Sequence, residues 1–188
     1  MGIRFLAPAA IVSLLLNTTA SLAPAAAQTA AQHLALASDS NFSQMAMSLG
    51  LLQVKLGKLA QDKGSSDRVR DFGKRVVADY SRLNEQLVAG ARQAAYPHPV
   101  LLRQHQQIFD RLNRMGRSSF DKNYMAEMVS RHEEVARLFE EEAKNGRVQS
   151  LKLLAASLLP DVQQDQSLAA EAAGSVDADV TASASREQ

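Results

Sequence analysis

Apolar residues recur every three or four positions through most of the chain, and short stretches rich in glycine, proline or serine separate these runs. Such spacing places apolar side chains on one face of an α-helix, and no stretch alternates with the two-residue period of a strand. The pattern therefore predicts an all-α protein. Helix stops fall roughly every 20 to 30 residues, which favours a bundle folded from one chain over a coiled-coil oligomer.

The first long helix is predicted over residues 41–63, with Asn41 and Gln44 forming a capping box at its start. The second is predicted to open at Ser65 or Ser66, and prolines follow its apolar stripe. Both stripes have the spacing of a bundle seam, so we expect these two helices to pack side by side.

A shorter helix is predicted over residues 100–115, and Ser118 is predicted to cap the next long helix, which stops at Gly146. The last helix is predicted over residues 147–173, with a kink caused by Pro160. Four long amphipathic helices and one short connector predict an antiparallel four-helix bundle of the ferritin-like kind.

The N-terminus has the features of a secretory signal peptide covering residues 1–27. Arg4 precedes an apolar run that ends at Leu16, and small residues precede a cleavage site after Ala27. The alternative, a membrane anchor, needs about 20 apolar residues, and this run is shorter. We therefore expect a periplasmic or secreted protein.

Composition divides the mature chain into three parts. An alanine-rich linker is predicted over residues 28–38, the helical bundle over residues 39–173, and a disordered tail over residues 174–188. The tail is predicted to be disordered because it has few large apolar residues to bury.

Composition and charge exclude several kinds of chemistry. The chain has no cysteine, which excludes disulfides, a thiol nucleophile and thiolate metal ligands. Net charge is +1, with basic residues concentrated in 55–117 and acidic residues after them. We expect the two halves to be neighbours that attract each other. The basic part has no dense run and no interleaved aromatic residues, so nucleic acid is not an expected partner.

One polar or amphipathic residue lies on or beside the inner stripe of each long helix: Gln53, Tyr80, His132 and Asp165. Side chains on facing helices are the ones that build metal sites inside bundles. Because buried polar groups need partners, one interpretation is a core network in which His132 bonds Asp165 beside the Tyr80 hydroxyl. The other interpretation is that these side chains are partly exposed at a bundle end.

A metal site is the competing hypothesis for the same cluster, with Asp79 as an additional carboxylate beside Gln53, Tyr80, His132 and Asp165. A ferritin-type di-iron centre needs Glu three residues before a histidine on two helices, and none of the four histidines has this spacing. One imidazole with an amide and a phenol is a poor ligand set for zinc or iron, so we expect no cofactor.

Three segments resemble successive blocks of the bacterial domain-of-unknown-function 4142 family: "GLLQVKLGKLAQDKGSSDRVRDFGKRVVADYSRLNEQL", "SFDKNYMAEMVSRHEEVARLFEEEAKNG" and "ASLLPDVQQDQ". The resemblance covers residues 42–168. It implies a ferritin-like helical bundle of secreted or periplasmic bacterial proteins, without an established activity.

The chain departs from the pattern of this family at the positions of the polar cluster. Where similar members show Glu in the first helix, it has Gln53, and where they show Asp-His in the second, it has Asp79 followed by Tyr80. His132 retains the histidine of the third long helix, whereas Asp165 replaces the one expected after Leu-Pro. The resemblance therefore implies that a metal site in this member has been eroded.

The function expected from these observations is that of a non-enzymatic envelope protein, acting in interaction or stress response. The alternative is a metal-handling or oxidative-stress bundle that keeps some metal binding through His132, Asp165 and Asp79. A second copy of the chain or another envelope protein is the expected partner. An outward apolar strip for this contact is predicted from Leu51, Val54, Val77 and Val88.

Overall fold

A computed structural model describes residues 25–94, 96 and 99–186 of the chain, with the side chains placed within residues 38–178. This part of the chain contains no strand and five helices, which confirms the predicted all-α bundle. The helices are α1 (Ala25–Lys63), α2 (Asp67–Gln93), α3 (Arg103–Asn113), α4 (Arg117–Asn145) and α5 (Gln149–Arg186). The predicted signal peptide lies outside the described residues except for residues 25–27, which begin α1.

The boundary between α1 and α2 follows the local sequence. Gly64 ends α1, and its backbone N–H donates to the carbonyl of Ala60 at 2.9 Å. Ser66 then takes the N-cap position of α2, where its hydroxyl accepts from the backbone N–H of Val69 at 3.2 Å. Both observations confirm the predicted stop and start.

The core contains the apolar stripes predicted from the sequence. On α1 and α4 they meet at an edge-to-face contact between Phe42 and Phe139, whose ring centroids are 5.4 Å apart. The largest apolar side chains that are fully buried come from all five helices: Leu49, Leu52, Leu56, Tyr80, Leu112, Phe120, Tyr124, Met125, Met128, Phe139 and Leu151. One continuous core therefore runs between the helices, as two packed layers require.

The four long helices form two close pairs, α1 with α2 and α4 with α5, and α2 also contacts α5 while α1 contacts α4. The short helix α3 lies against α1. Helices α1 and α2 approach each other closely at two glycines, because a Cβ built on Gly57 would lie 2.7 Å from the carbonyl oxygen of Gly73. The absence of side chains at both positions lets the two backbones pack this closely.

Two predicted element ends are wrong. The described part of α1 is helical from Ala25, well before Asn41, so the predicted linker is helical, and α5 continues into the predicted tail as far as Arg186. Residues 25–49 contain neither glycine nor proline, and their many alanines have high helix propensity, so nothing stops the helix at residue 41. In the extension of α5, Val176 is buried against the core, which stabilises the added turns.

The predicted start of α4 is also wrong. Gly116 occupies the N-cap position without a side-chain cap, and Ser118 lies within the helix. The carboxylate of Asp121 instead accepts from the backbone N–H groups of Ser65 at 2.9 Å and Ser66 at 2.8 Å. Asp121 therefore caps the start of α2 from a neighbouring helix, a contact that local sequence patterns do not reveal.

Helix α5 is not interrupted by its internal proline. Pro160 lies inside α5, and the helix continues past it. Among the described residues, no helix is long and apolar enough to cross a membrane.

Candidate functional site

Three of the predicted polar residues meet in the centre of the bundle. Gln53 of α1 and Tyr80 of α2 have no exposed surface, and His132 of α4 is 1% exposed. The Nδ1 atom of His132 lies 3.3 Å from Nε2 of Gln53, and the imidazole meets the Tyr80 ring edge-to-face at 5.4 Å between centroids. These three residues form the central cluster. Their burial excludes the alternative of partial exposure at a bundle end.

Hydrogen bonding sets the protonation of His132. Its Nδ1 lies 2.7 Å from the carbonyl oxygen of Met128 one turn earlier, so Nδ1 carries the proton and donates it to that oxygen. Burial lowers the pKa of His132 to about 4, because the charged form loses its hydration, while the bond to Met128 acts in the opposite direction. The imidazole is therefore neutral at pH 7, with Nε2 unprotonated.

Aromatic rings surround His132. In addition to Tyr80, the Phe72 ring lies 6.1 Å from the imidazole between centroids. Burial raises the pKa of the Tyr80 hydroxyl, and the carboxylate of Asp165 raises it further. The hydroxyl is therefore protonated at every physiological pH, and the central cluster as a whole carries no charge.

The two predicted carboxylates lie beside this cluster and outside it. Asp79 pairs with Arg75 at 3.4 Å and with Arg82 at 3.2 Å on the surface of α2. Asp165 is half-buried, and burial together with the nearby Asp79 carboxylate raises its pKa to about 6. The predicted hydrogen bond between His132 and Asp165 is wrong, because Nδ1 of His132 donates to the carbonyl of Met128 and Nε2 has no partner. Asp165 acts on the cluster only through its charge.

The central cluster does not fit a transition-metal ion. Within the described chain, no three His, Asp or Glu side chains converge on a common point. The cluster offers one imidazole, one neutral amide and one phenol whose proton is held by burial, whereas zinc and iron sites use several imidazoles, thiolates or carboxylates. We therefore derive no chemistry from a metal at this position.

A second buried imidazole positions the short helix α3. The hydroxyl of Ser48 accepts from the backbone N–H of Leu102 at 2.8 Å, and its oxygen lies within hydrogen-bond distance of Nδ1 of His105, at 2.6 Å. Ser48 is fully buried and His105 is 1% exposed, so the pair fastens the start of α3 to α1. The apolar spacing around His105 predicts its inward position, but nothing in the sequence predicts Ser48 as its partner.

A buried pair of carboxyl groups lies where α1, α4 and α5 meet. Asp39 has no exposed surface and accepts from the backbone N–H of Arg147, at 3.1 and 3.2 Å to its two oxygens, and of Val148 at 2.7 Å. Glu142 is 3% exposed, and one of its carboxyl oxygens has no partner. Glu142 is therefore a buried carboxyl group, although its neighbours Glu140 and Glu141 in the same acidic run are exposed.

We predict that Glu142 makes stability fall as the pH rises. Burial, with the neighbouring Asp39 carboxylate, raises the pKa of Glu142 from 4.5 to about 7. Its contribution is complete below about pH 4.5 and is lost as the pH rises through about 7, since the folded state binds the extra proton. Between pH 5 and pH 8, Glu142→Gln should gain about 1–2 kcal/mol of unfolding free energy relative to wild type in urea titrations.

The control for this prediction is Glu141→Gln, because Glu141 is the exposed neighbour of Glu142. His132 titrates with the opposite sign, since its lowered pKa removes stability as the pH falls through about 4. Comparing each variant with wild type at the same pH cancels that contribution. A difference between Glu142→Gln and wild type that does not change with pH would contradict the assignment.

Comparison with known proteins places the chain in one family. A family model described as "Domain of unknown function (DUF4142)" matches residues 23–172, which is most of the chain. No curated protein and no solved structure matches it.

Proposed function

We propose that this chain, which belongs to the DUF4142 family, is a periplasmic or secreted helical-bundle protein that acts by binding another envelope component and not by catalysis. The proposal rests on the burial and the neutral charge of the central cluster. Gln53, Tyr80 and His132 are polar side chains from three helices of the core, and all three are buried and uncharged. A general base or a metal ligand needs access to its substrate or ion.

The surroundings of the cluster support the same proposal. A surface cleft of about 210 Å³ between α2 and α5 is lined by Phe72, and none of the three cluster residues lines it. A small molecule in this cleft therefore meets the Phe72 ring and the arginines of α2. The polar groups of the core act in folding, because the need of buried polar side chains for partners restricts how the helices can pack.

The proposed periplasmic or secreted localisation rests on the N-terminal sequence, and cell fractionation tests it. We expect the expressed full-length chain to appear in the periplasm or the medium, with Gln28 as the first residue of the mature protein. Mass spectrometry of the intact protein measures the new N-terminus. Ala27→Leu should slow processing, because the cleavage site requires small residues. An unprocessed chain in the cytoplasm would contradict the proposed localisation.

Metal analysis separates the proposal from the alternative of a metal-handling bundle. We expect the mature protein, purified without a histidine tag, to contain no stoichiometric Fe, Mn, Zn or Cu. We also expect no thermal stabilisation by these ions, whereas a ligand at 100 times its dissociation constant adds about 2.7 kcal/mol.

Two matched variants make this metal experiment specific. His132→Gln removes the imidazole of the central cluster, and His105→Gln removes the other buried imidazole. Stoichiometric metal that is lost in His132→Gln and kept in His105→Gln would overturn the proposal in favour of metal handling.

A further inference from the structure

Three buried polar atoms in the central cluster have no hydrogen-bond partner. They are the hydroxyl of Tyr80, Nε2 of His132 and Oε1 of Gln53. The residues come from three different helices, and each side chain contacts the other two. Gln53 lies 3.3 Å from the imidazole, and Tyr80 meets it edge-to-face. The Gln53 amide lies near enough to the Tyr80 hydroxyl to lower its pKa, although no hydrogen bond of normal geometry joins the two groups. An unpartnered buried polar atom costs about 1–3 kcal/mol, so three at one place require a cause.

Proton positions identify what each of these atoms needs. Since Nδ1 of His132 donates to Met128, Nε2 is an acceptor in need of a donor. The same proton makes the oxygen of the Gln53 amide, and not its nitrogen, the atom suited to the contact with Nδ1. The NH2 group of Gln53 then occupies the position that has no hydrogen-bond partner, and it is a donor there. The Tyr80 hydroxyl is a second donor, because it keeps its proton.

We propose that Gln53, Tyr80 and His132 together form a binding site for one water molecule in the centre of the bundle. The water oxygen accepts from the Gln53 amide and the Tyr80 hydroxyl, and one water hydrogen donates to Nε2 of His132. A buried water makes about three such bonds, so a single molecule satisfies all three atoms. This inference does not depend on the proposed function.

Water fits this site better than a cation or a direct contact. A cation would face a neutral amide, a neutral phenol and a single imidazole, with no carboxylate bonded to any of them. A direct bond between Tyr80 and His132 is not formed, although their rings are 5.4 Å apart between centroids. A bridging molecule with both donors and acceptors is therefore the occupant that the atoms require.

Two measurements on the full mature protein test the proposal. In a high-resolution crystal structure, we expect a water at about 2.7–3.2 Å from both the Tyr80 hydroxyl oxygen and Nε2 of His132. In solution, we expect nitrogen-15 shifts of His132 that show the proton on Nδ1, and water-selective NOE cross-peaks to the imidazole. Either a direct bond from Tyr80 to Nε2 or a metal ion at this position would overturn the proposal.

Matched variants test which side chain holds the water. Tyr80→Phe removes one donor with almost no change of shape, and we expect the water cross-peaks of His132 to be lost or strongly weakened. Tyr124→Phe makes the same change at another fully buried tyrosine with an unpartnered hydroxyl, and it should leave those cross-peaks unchanged. Equal cross-peaks in both variants would show that Tyr80 does not hold the water, and absent cross-peaks in wild type would reject the site.

Discussion

Replacing Gly73 with alanine is expected to lower the free energy of unfolding by about 2–3 kcal/mol. A Cβ at Gly73 would lie 2.7 Å from the carbonyl oxygen of Gly57 and 2.8 Å from Cβ of Ala60. A backbone oxygen within a helix cannot rotate away, so α1 and α2 must move apart and lose core contacts on both sides. Alanine favours helix over glycine by about 1 kcal/mol, which offsets only part of this loss. Urea unfolding followed by circular dichroism measures the effect.

The control for Gly73→Ala is Gly174→Ala in α5. Gly174 also lies inside a helix, but a Cβ built there meets no atom within 4 Å. We therefore expect Gly174→Ala to leave stability unchanged or to raise it by up to about 1 kcal/mol. If both substitutions had the same effect, the close approach of α1 and α2 at Gly57 and Gly73 would be disproved.

Replacing Asp39 with alanine is expected to cost about 2–4 kcal/mol. The carboxylate has no exposed surface and accepts from the backbone N–H groups of Arg147 and Val148 just before α5. Alanine would leave these donors without partners in a part-buried position and would remove the bond that joins α1 to the start of α5. The free energy of unfolding from urea titrations measures the loss.

Two further substitutions show whether this loss comes from helix capping. Asp39→Asn keeps one acceptor oxygen and should lose less than Asp39→Ala. Asp62→Ala removes an exposed carboxylate from the same helix and should change stability by less than about 0.5 kcal/mol. Removing the charge of Asp39 should also lower the pKa of Glu142 towards its usual range, so the variants should show a weaker pH dependence. Equal effects of Asp39→Ala and Asp62→Ala would contradict the capping role.

The inward positions of Gln53, Tyr80 and His132 follow from helical periodicity, and the structure buries all three. Periodicity shows which face of a helix a residue lies on, and a side chain on the inner face of a bundle packs into the core. Periodicity does not determine which group each polar side chain bonds. Periodicity alone predicts a bond from His132 to Asp165, whereas Nδ1 of the imidazole donates to the carbonyl of Met128 in its own helix.

Contacts between distant parts of the chain explain most of what the sequence missed. Asp39 caps α5 across 108 residues, Asp121 caps α2 across 55, and Ser48 fastens α3 across 54. Each of these residues has an ordinary local context, so capping rules applied to neighbouring positions cannot find them. The capping box predicted at Asn41 fails for a local reason, because the alanine-rich residues before it are already helical.

The amino-acid sequence alone determines an all-α chain of four long helices and one short helix. Helical periodicity and glycine stops are local signals, because each depends only on residues a few positions apart. The sequence also determines which faces are buried. The neighbours of those faces depend on how the helices are arranged in space, and so does the burial of Glu142 beside Asp39. The caps formed by Asp39 and Asp121 and the contact of Ser48 with α3 depend on such long-range neighbours, and burial in the assembled core sets their energies.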